Sequence, residues 1–208
     1  MENSNLIGGL KELIRARADG LVSELAVNKA RSLLSEPEND WSEPVIDAFK
    51  EKMLAIGFEV DEVRYSGFCC QGDGASFSGK GKAKDLIRSL ELAERFQGSI
   101  NSPDELDVES SFQRMHGRYV HECTMDVDLI GDCEEFDELS AHDRIAKVAA
   151  ESEENELREA MEKALRNAAK TLYADLEEEW DRLQSDEHLI ELCEANEYVF
   201  DEDGELTI

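Results

Sequence analysis

Through most of the last third of the chain, apolar residues recur at helical spacing. Ile145, Val148, Leu157, Met161, Leu165, Ala168, Leu172, Leu176, Trp180 and Leu183 fall close to one stripe. An unbroken helix over 141–184 is about 65 Å long at about 1.5 Å per residue. That is long for one domain, so a break at 152–155 is also a reading of the sequence. Such a helix needs a surface to bury its stripe, and a sheet with helices packed on one face provides one. Ser140, with Asp143 three residues on, has the form of a capping box at its start.

The preceding segments supply that sheet. Residues 6–34 read as helical, with Leu6, Leu10, Leu13, Leu21 and Leu25 near helical spacing and Gly8-Gly9 and Gly20 as places where it can split. Ser42 opens a second helix, with Pro44 in its first turn, Val45, Ile46, Phe49, Met53 and Leu54 on its apolar side and Gly57 just past its end. Residues 58–68 are rich in strand formers. Gly72-Asp73-Gly74 is a turn signal, and 75–79 returns as a hairpin partner. A helix is expected over 82–97, two strands over 111–115 and 118–130 turning at His116-Gly117, a short helix from Ser185 to Ala195, and a closing hairpin around 201–204. The expected fold class is α+β: an antiparallel sheet of about four to six strands, helices on one face, and a long C-terminal helix. One domain over 1–208 is expected, with an N-terminal helical segment (1–36), a sheet-containing core (40–140) and an acidic helical segment with the closing hairpin (141–208).

Charge bounds the function. The 208 residues carry 22 Lys+Arg against 50 Asp+Glu, a formal net charge of -28, while 41% are apolar. The chain therefore has the means to bury a core. It should repel phosphates, so direct nucleic-acid binding is not expected. No apolar run reaches membrane-spanning length, and the first ten residues lack the basic start and apolar stretch of an export signal. Neither a membrane nor an exported location is expected; a cytoplasmic one is. The last 105 residues hold 24 of the 28 surplus negative charges. Carboxylates gathered on a rigid scaffold can imitate DNA phosphates and engage a basic protein surface. The candidate partner-binding residues are Glu134, Glu135, Asp137 and Glu138 in one acidic run and Asp175, Glu177, Glu178, Glu179 and Asp181 in another. A solvated helix face is the plain alternative.

Five cysteines at irregular spacing, with no CxxC pair, fit a reducing compartment and buried thiols acting as small hydrophobes. Cys69 and Cys70 are adjacent and are not expected to join one tetrahedral site easily. A zinc site from His121, Cys123 and Cys133 is conceivable if 121 and 123 share a strand face. Residues 126–137 look superficially like a calcium loop, but Ile130 occupies a ligand place and a strand precedes it. No metal and no cofactor are expected.

The unusual segment is Gly67-Phe-Cys-Cys-Gln-Gly-Asp-Gly-Ala-Ser-Phe. Gly67, Gly72 and Gly74 permit close backbone approach, so Gln71 and Asp73 could line a small-ligand cradle between Phe68 and Phe77. In the structural alternative the two phenylalanines pack inward and Asp73 caps its own turn. His121, on the next strand pair with Arg118, could meet this loop and form an acid–base pair with Asp73. A hydrogen-bonded sheet histidine is the commoner case.

Residues 65–77 resemble the "SGF-x-SQGDGA-x-F" signature of small acidic phage and prophage proteins, some labelled as antitoxins of a toxin–antitoxin stability system. Asp40-Trp41, the segment Arg118-Tyr-Val-His-Glu-Cys-Thr-Met, residues 176–187 and residues 194–204 match the same family in order, so the resemblance covers about 40–205. One departure is Cys70, where the family usually has Ser. The resemblance implies a mobile-element origin and no specific chemistry. Together with the charge it leads to an expected non-enzymatic, phage-encoded inhibitor of a host nucleic-acid-handling defence complex, either a CRISPR effector or a restriction enzyme. The alternatives are an antitoxin for a basic toxin, and an enzyme or small-ligand binder using Gln71, Asp73 and His121.

Overall fold

The computed structural model describes residues 5–35, 40–90, 92, 96, 106–112, 120–130 and 141–207, with the helix backbone alone over 141–153. The fold is α+β. The chain falls into two compact units, one made of 1–42 with 177–208 and the other of 43–176.

The first unit joins the two ends of the chain. Strand β1 (Leu6–Gly8) pairs antiparallel with β6 (Val199–Asp201), which pairs antiparallel with β7 (Leu206–Thr207). Helices α1 (Leu10–Ala18), α2 (Glu24–Leu34) and α6 (Asp186–Ala195) bury Leu10, Leu13, Val27, Ala30, Leu34, Leu189 and Cys193 with Phe200. Ser23 caps α2 by accepting from Ala26 N, and Ser185 caps α6 by accepting from His188 N. The closing hairpin read from the sequence is present. The helix read over 6–34 is interrupted at the glycines that allowed a split: residues 6–8 form a strand before Gly9, and the helix breaks between Ala18 and Glu24, around Gly20. Leu21 and Leu25 stand 73% and 78% exposed, because the turn takes them off the buried side that Leu10, Leu13 and Val27 share.

The second unit is a four-stranded antiparallel meander: β2 (Phe58–Tyr65), β3 (Ala75–Lys82), β4 (Asp107–Phe112) and β5 (Met125–Ile130), in that order. Helix α3 (Glu43–Ala55) packs through Phe49, whose ring meets Phe77 edge-on at 5.2 Å; Phe77 in turn meets Phe58 at 5.8 Å. The opposite face carries an exposed cross-strand row, Glu59–Lys80–Glu109–Asp128. Helix α4 spans Ala83–Ser89, with Leu90 at its C-cap; of the helix expected over 82–97, residues 91, 93–95 and 97 lie outside the described residues.

The long helix α5 (Ala141–Gln184) is continuous, so the break at 152–155 does not occur. From 154 on its stripe buries Leu157, Met161, Leu165, Ala169, Leu172 and Leu176, with Ala169 rather than Ala168 at the buried position. The expected strand over 118–130 is also corrected. Among the described residues 120–130, residues 122–124 form a 3-10 turn and only Met125–Ile130 is strand. Cys123 N donates to the His121 ring, and Thr124 Oγ1 donates to His121 O, so local side-chain bonds displace the ladder there. His121 and Cys123 therefore do not share a strand face. The expected turn at 116–117, the cap at Ser140 and the acidic loop over 131–139 lie outside the described residues. No helix among the described residues is long and apolar enough to cross a membrane.

Candidate functional site

Folding closes the signature loop on itself. Asp73 Oδ2 accepts from Cys70 N at 2.7 Å and from Cys69 N at 3.1 Å, and Asp73 N donates to Cys70 O at 3.0 Å. Gly72 completes the turn with φ +118°, a conformation that side chains disfavour. The amide of Cys70, then that of Cys69, holds the Asp73 carboxyl below its ordinary pKa, outweighing the opposing effect of partial desolvation. This is the self-capping arrangement. Gln71 is exposed beside it.

The loop is tied down on both sides. Ser66 N donates to Gly74 O, Gly74 N donates to Ser66 Oγ, and that hydroxyl donates to Val120 O. Phe68 is half-buried, stacked on Tyr173 of α5 at 5.4 Å and on Tyr65 at 6.4 Å. Tyr173 Oη donates to the Gly67 carbonyl at 2.9 Å. Phe77 is fully buried. A Cβ on Gly74 would lie 3.0 Å from His121 Cα and Cδ2, so the loop does meet His121, as the sequence allowed.

His121 has other partners, however. Its Nδ1 accepts from Cys123 N at 3.2 Å and lies 2.8 Å from Glu122 Oε2. A neutral ring serves Cys123 there, whereas a protonated one donates to Glu122. The Glu122 side chain is only 10% exposed, and its other oxygen lies 3.3 Å from Lys170 Nζ. Asp73 and His121 are thus each engaged by their own turn. Arg118 lies outside the described residues, as does Cys133 of the conceivable zinc trio. Of the calcium-like segment, Asp126 and Asp128 lie on strand β5, and everything beyond Ile130 falls outside the described residues.

At the loop tip the thiols of Cys69 and Cys70 approach to 3.5 Å, both exposed. Hydrogen bonding to Cys69, then the charges of Cys69 and Asp73, push the Cys70 thiol above its ordinary pKa.

The acidic candidates divide. Glu134, Glu135, Asp137 and Glu138 lie outside the described residues. In the second unit Asp175 pairs with Lys52 at 3.4 Å. In the first unit Arg182 grips both oxygens of Glu179 at 2.8 Å, which holds that carboxyl below its usual range. Glu177, Glu178 and Asp181 stand exposed on the end of α5. Exposed carboxylates are not confined to these runs. Each described helix carries at least one, among them Glu43, Asp47 and Glu51 along α3 and Glu187, Glu191 and Glu194 along α6.

Residues 41–186 match the family described as Domain of unknown function (DUF8835). The chain belongs to the DUF8835 family. No curated protein and no solved structure matches it. The DUF8835 span contains the whole second unit, and with it the signature loop, Tyr173 and the His121 turn; it ends two residues past α5. Sequence reasoning missed Glu122 and Tyr173. Glu122 looked like one more acid in an acidic chain. Tyr173 sat among helix residues with nothing to mark a bond to Gly67, 106 positions away.

Proposed function

We propose that this protein is a phage-encoded, non-enzymatic inhibitor that occupies the basic nucleic-acid groove of a host defence complex, a CRISPR effector or a restriction enzyme. The phage origin rests on the signature resemblance. The mode of action rests on charge. One observation carries it: Glu177, Glu178 and Asp181 are exposed within four residues of one another on a rigid helix. Four helical rises cover about 6 Å, so three carboxylates there approach the density of duplex DNA, about one charge per 1.7 Å. Counted the same way, the exposed row Glu43, Asp47 and Glu51 along α3 spreads three carboxylates over about 12 Å, half that density. The signature loop supports the same reading, because Asp73 and His121 are engaged in holding the turns of the fold.

The test is inhibition of DNA cleavage by a reconstituted effector, with and without competitor DNA. Changing Glu177 and Glu178 to Gln and Asp181 to Asn should weaken inhibition by about tenfold or more, since close charge pairs across an interface couple by about 1.5 kcal/mol or more. Glu179→Gln, which removes an internally paired carboxylate, should change inhibition far less. Undiminished inhibition by the triple variant overturns the reading.

A further inference from the structure

The sequence argues against Cys69 and Cys70 sharing one tetrahedral centre, but the folded loop places their sulfurs together. We propose that Cys69, Cys70 and Asp73 form a three-donor site for a thiophilic divalent cation of the zinc class.

The spacing fits. Tetrahedral zinc with Zn–S bonds of about 2.3 Å needs sulfurs about 3.8 Å apart, and the two sulfurs lie at 3.5 Å. One donor atom from each of the three residues lies within 4.8 Å of the others. The set is held from behind. Asp73 Oδ2 is fixed by the amides of both cysteines, and these bonds orient the carboxylate while its remaining lone pairs stay available. The Phe68–Tyr173 stack and the Ser66–Gly74 bonds anchor both ends of the loop. The exposed thiols leave a path for an ion to enter.

Donor chemistry selects the ion. Two thiolates with one carboxylate suit zinc rather than calcium or magnesium, which take all-oxygen shells. Three protein donors leave the fourth tetrahedral position for water or a partner's side chain. A net charge of -28 raises the cation concentration near the surface. The neighbouring group of His121, Glu122 and Cys123 also brings donor atoms together. Its His121 Nδ1 is occupied by the Cys123 amide and its Glu122 is paired with Lys170, so it is the weaker candidate.

Cobalt(II), a spectroscopic substitute for zinc, tests this on the reduced full-length chain. One equivalent should produce a thiolate-to-cobalt charge-transfer band, and zinc should abolish it by displacement. Cys69→Ser and Cys70→Ser should each lower the band by about half or more and weaken cobalt binding at least tenfold. Cys123→Ser and Cys193→Ser should leave it unchanged. Neither loop cysteine side chain holds the fold, so unchanged circular dichroism is expected to accompany the loss. Absence of the band, its survival in both loop variants, or its loss in Cys123→Ser overturns the site.

Discussion

Asp73 shows how one side chain sets a loop. Its folded-state pKa is lowered, so its charged form is the one that stabilises. That contribution is complete above the unfolded carboxylate value of about 3.9 and is lost as the pH falls through the lower folded value. Asp73→Asn keeps the shape but removes the charge. The wild type should therefore melt higher than this variant at neutral pH, with the gap closing in acid. A gap of constant size from pH 7 to pH 3 would show that charge is not what the amides hold. Gly74 tests the other side of the loop. Its missing Cβ faces His121 Cα and Val120 O at 3.0 and 3.1 Å, backbone atoms with little room to yield. Gly74→Ala should cost about 1–3 kcal/mol, read as a lower urea midpoint at unchanged slope. At this scale the sequence was partly legible. Glycine spacing and Asp73 announced a turn, because those signals are local. The 3.5 Å approach of Cys69 and Cys70 was not legible, since it depends on both amides turning toward one carboxylate.

Elements were legible where their hydrophobic period was long. The stripe of α5 is plain in sequence because a misplaced residue at any turn would expose a large side chain; among its described residues Ala168 was misassigned by a single position, and Trp180 and Leu183 are half-buried. Leu165 lies at the centre of that stripe and is 1% exposed. Leu165→Ala should cost about 2–5 kcal/mol, a lost transfer energy plus a cavity. An exposed position on the same helix, Lys163→Ala, should change the midpoint little. Equal effects of the two changes in denaturant titration would contradict the packing described. Short elements were read less well for a physical reason. Residues 6–8 are a strand only because β6, almost two hundred residues away, supplies the ladder bonds. The segment over 121–124 follows the strand formers Tyr119 and Val120 and leads into β5, yet the bonds among His121, Cys123 and Thr124 favour a 3-10 turn.

For the whole molecule, composition was legible and its arrangement was not. A surplus of 28 negative charges is a certain statement from sequence, but which carboxylates are paired depends on cations brought from distant positions, as Lys52 is to Asp175. The surplus has a consequence for stability. Described ion pairs such as Lys11–Glu194 and Lys52–Asp175 are largely exposed, each worth about 1 kcal/mol or less. Repulsion among the excess carboxylates is spread over the surface and compacted by folding, so screening it should stabilise the folded chain. Raising monovalent salt shortens the Debye length from about 10 Å at 0.1 M to about 3 Å at 1 M. The melting temperature of the free protein should therefore rise with salt; a fall would mean that the ion pairs outweigh the repulsion. The same screening weakens docking onto a cationic groove, where the anionic surface supplies the attraction. The two responses must then have opposite signs over one salt titration, with the free chain melting higher while its affinity for the effector falls. Affinity that holds steady while stability rises would place the contact on an uncharged part of the surface and remove the role given to Glu177, Glu178 and Asp181.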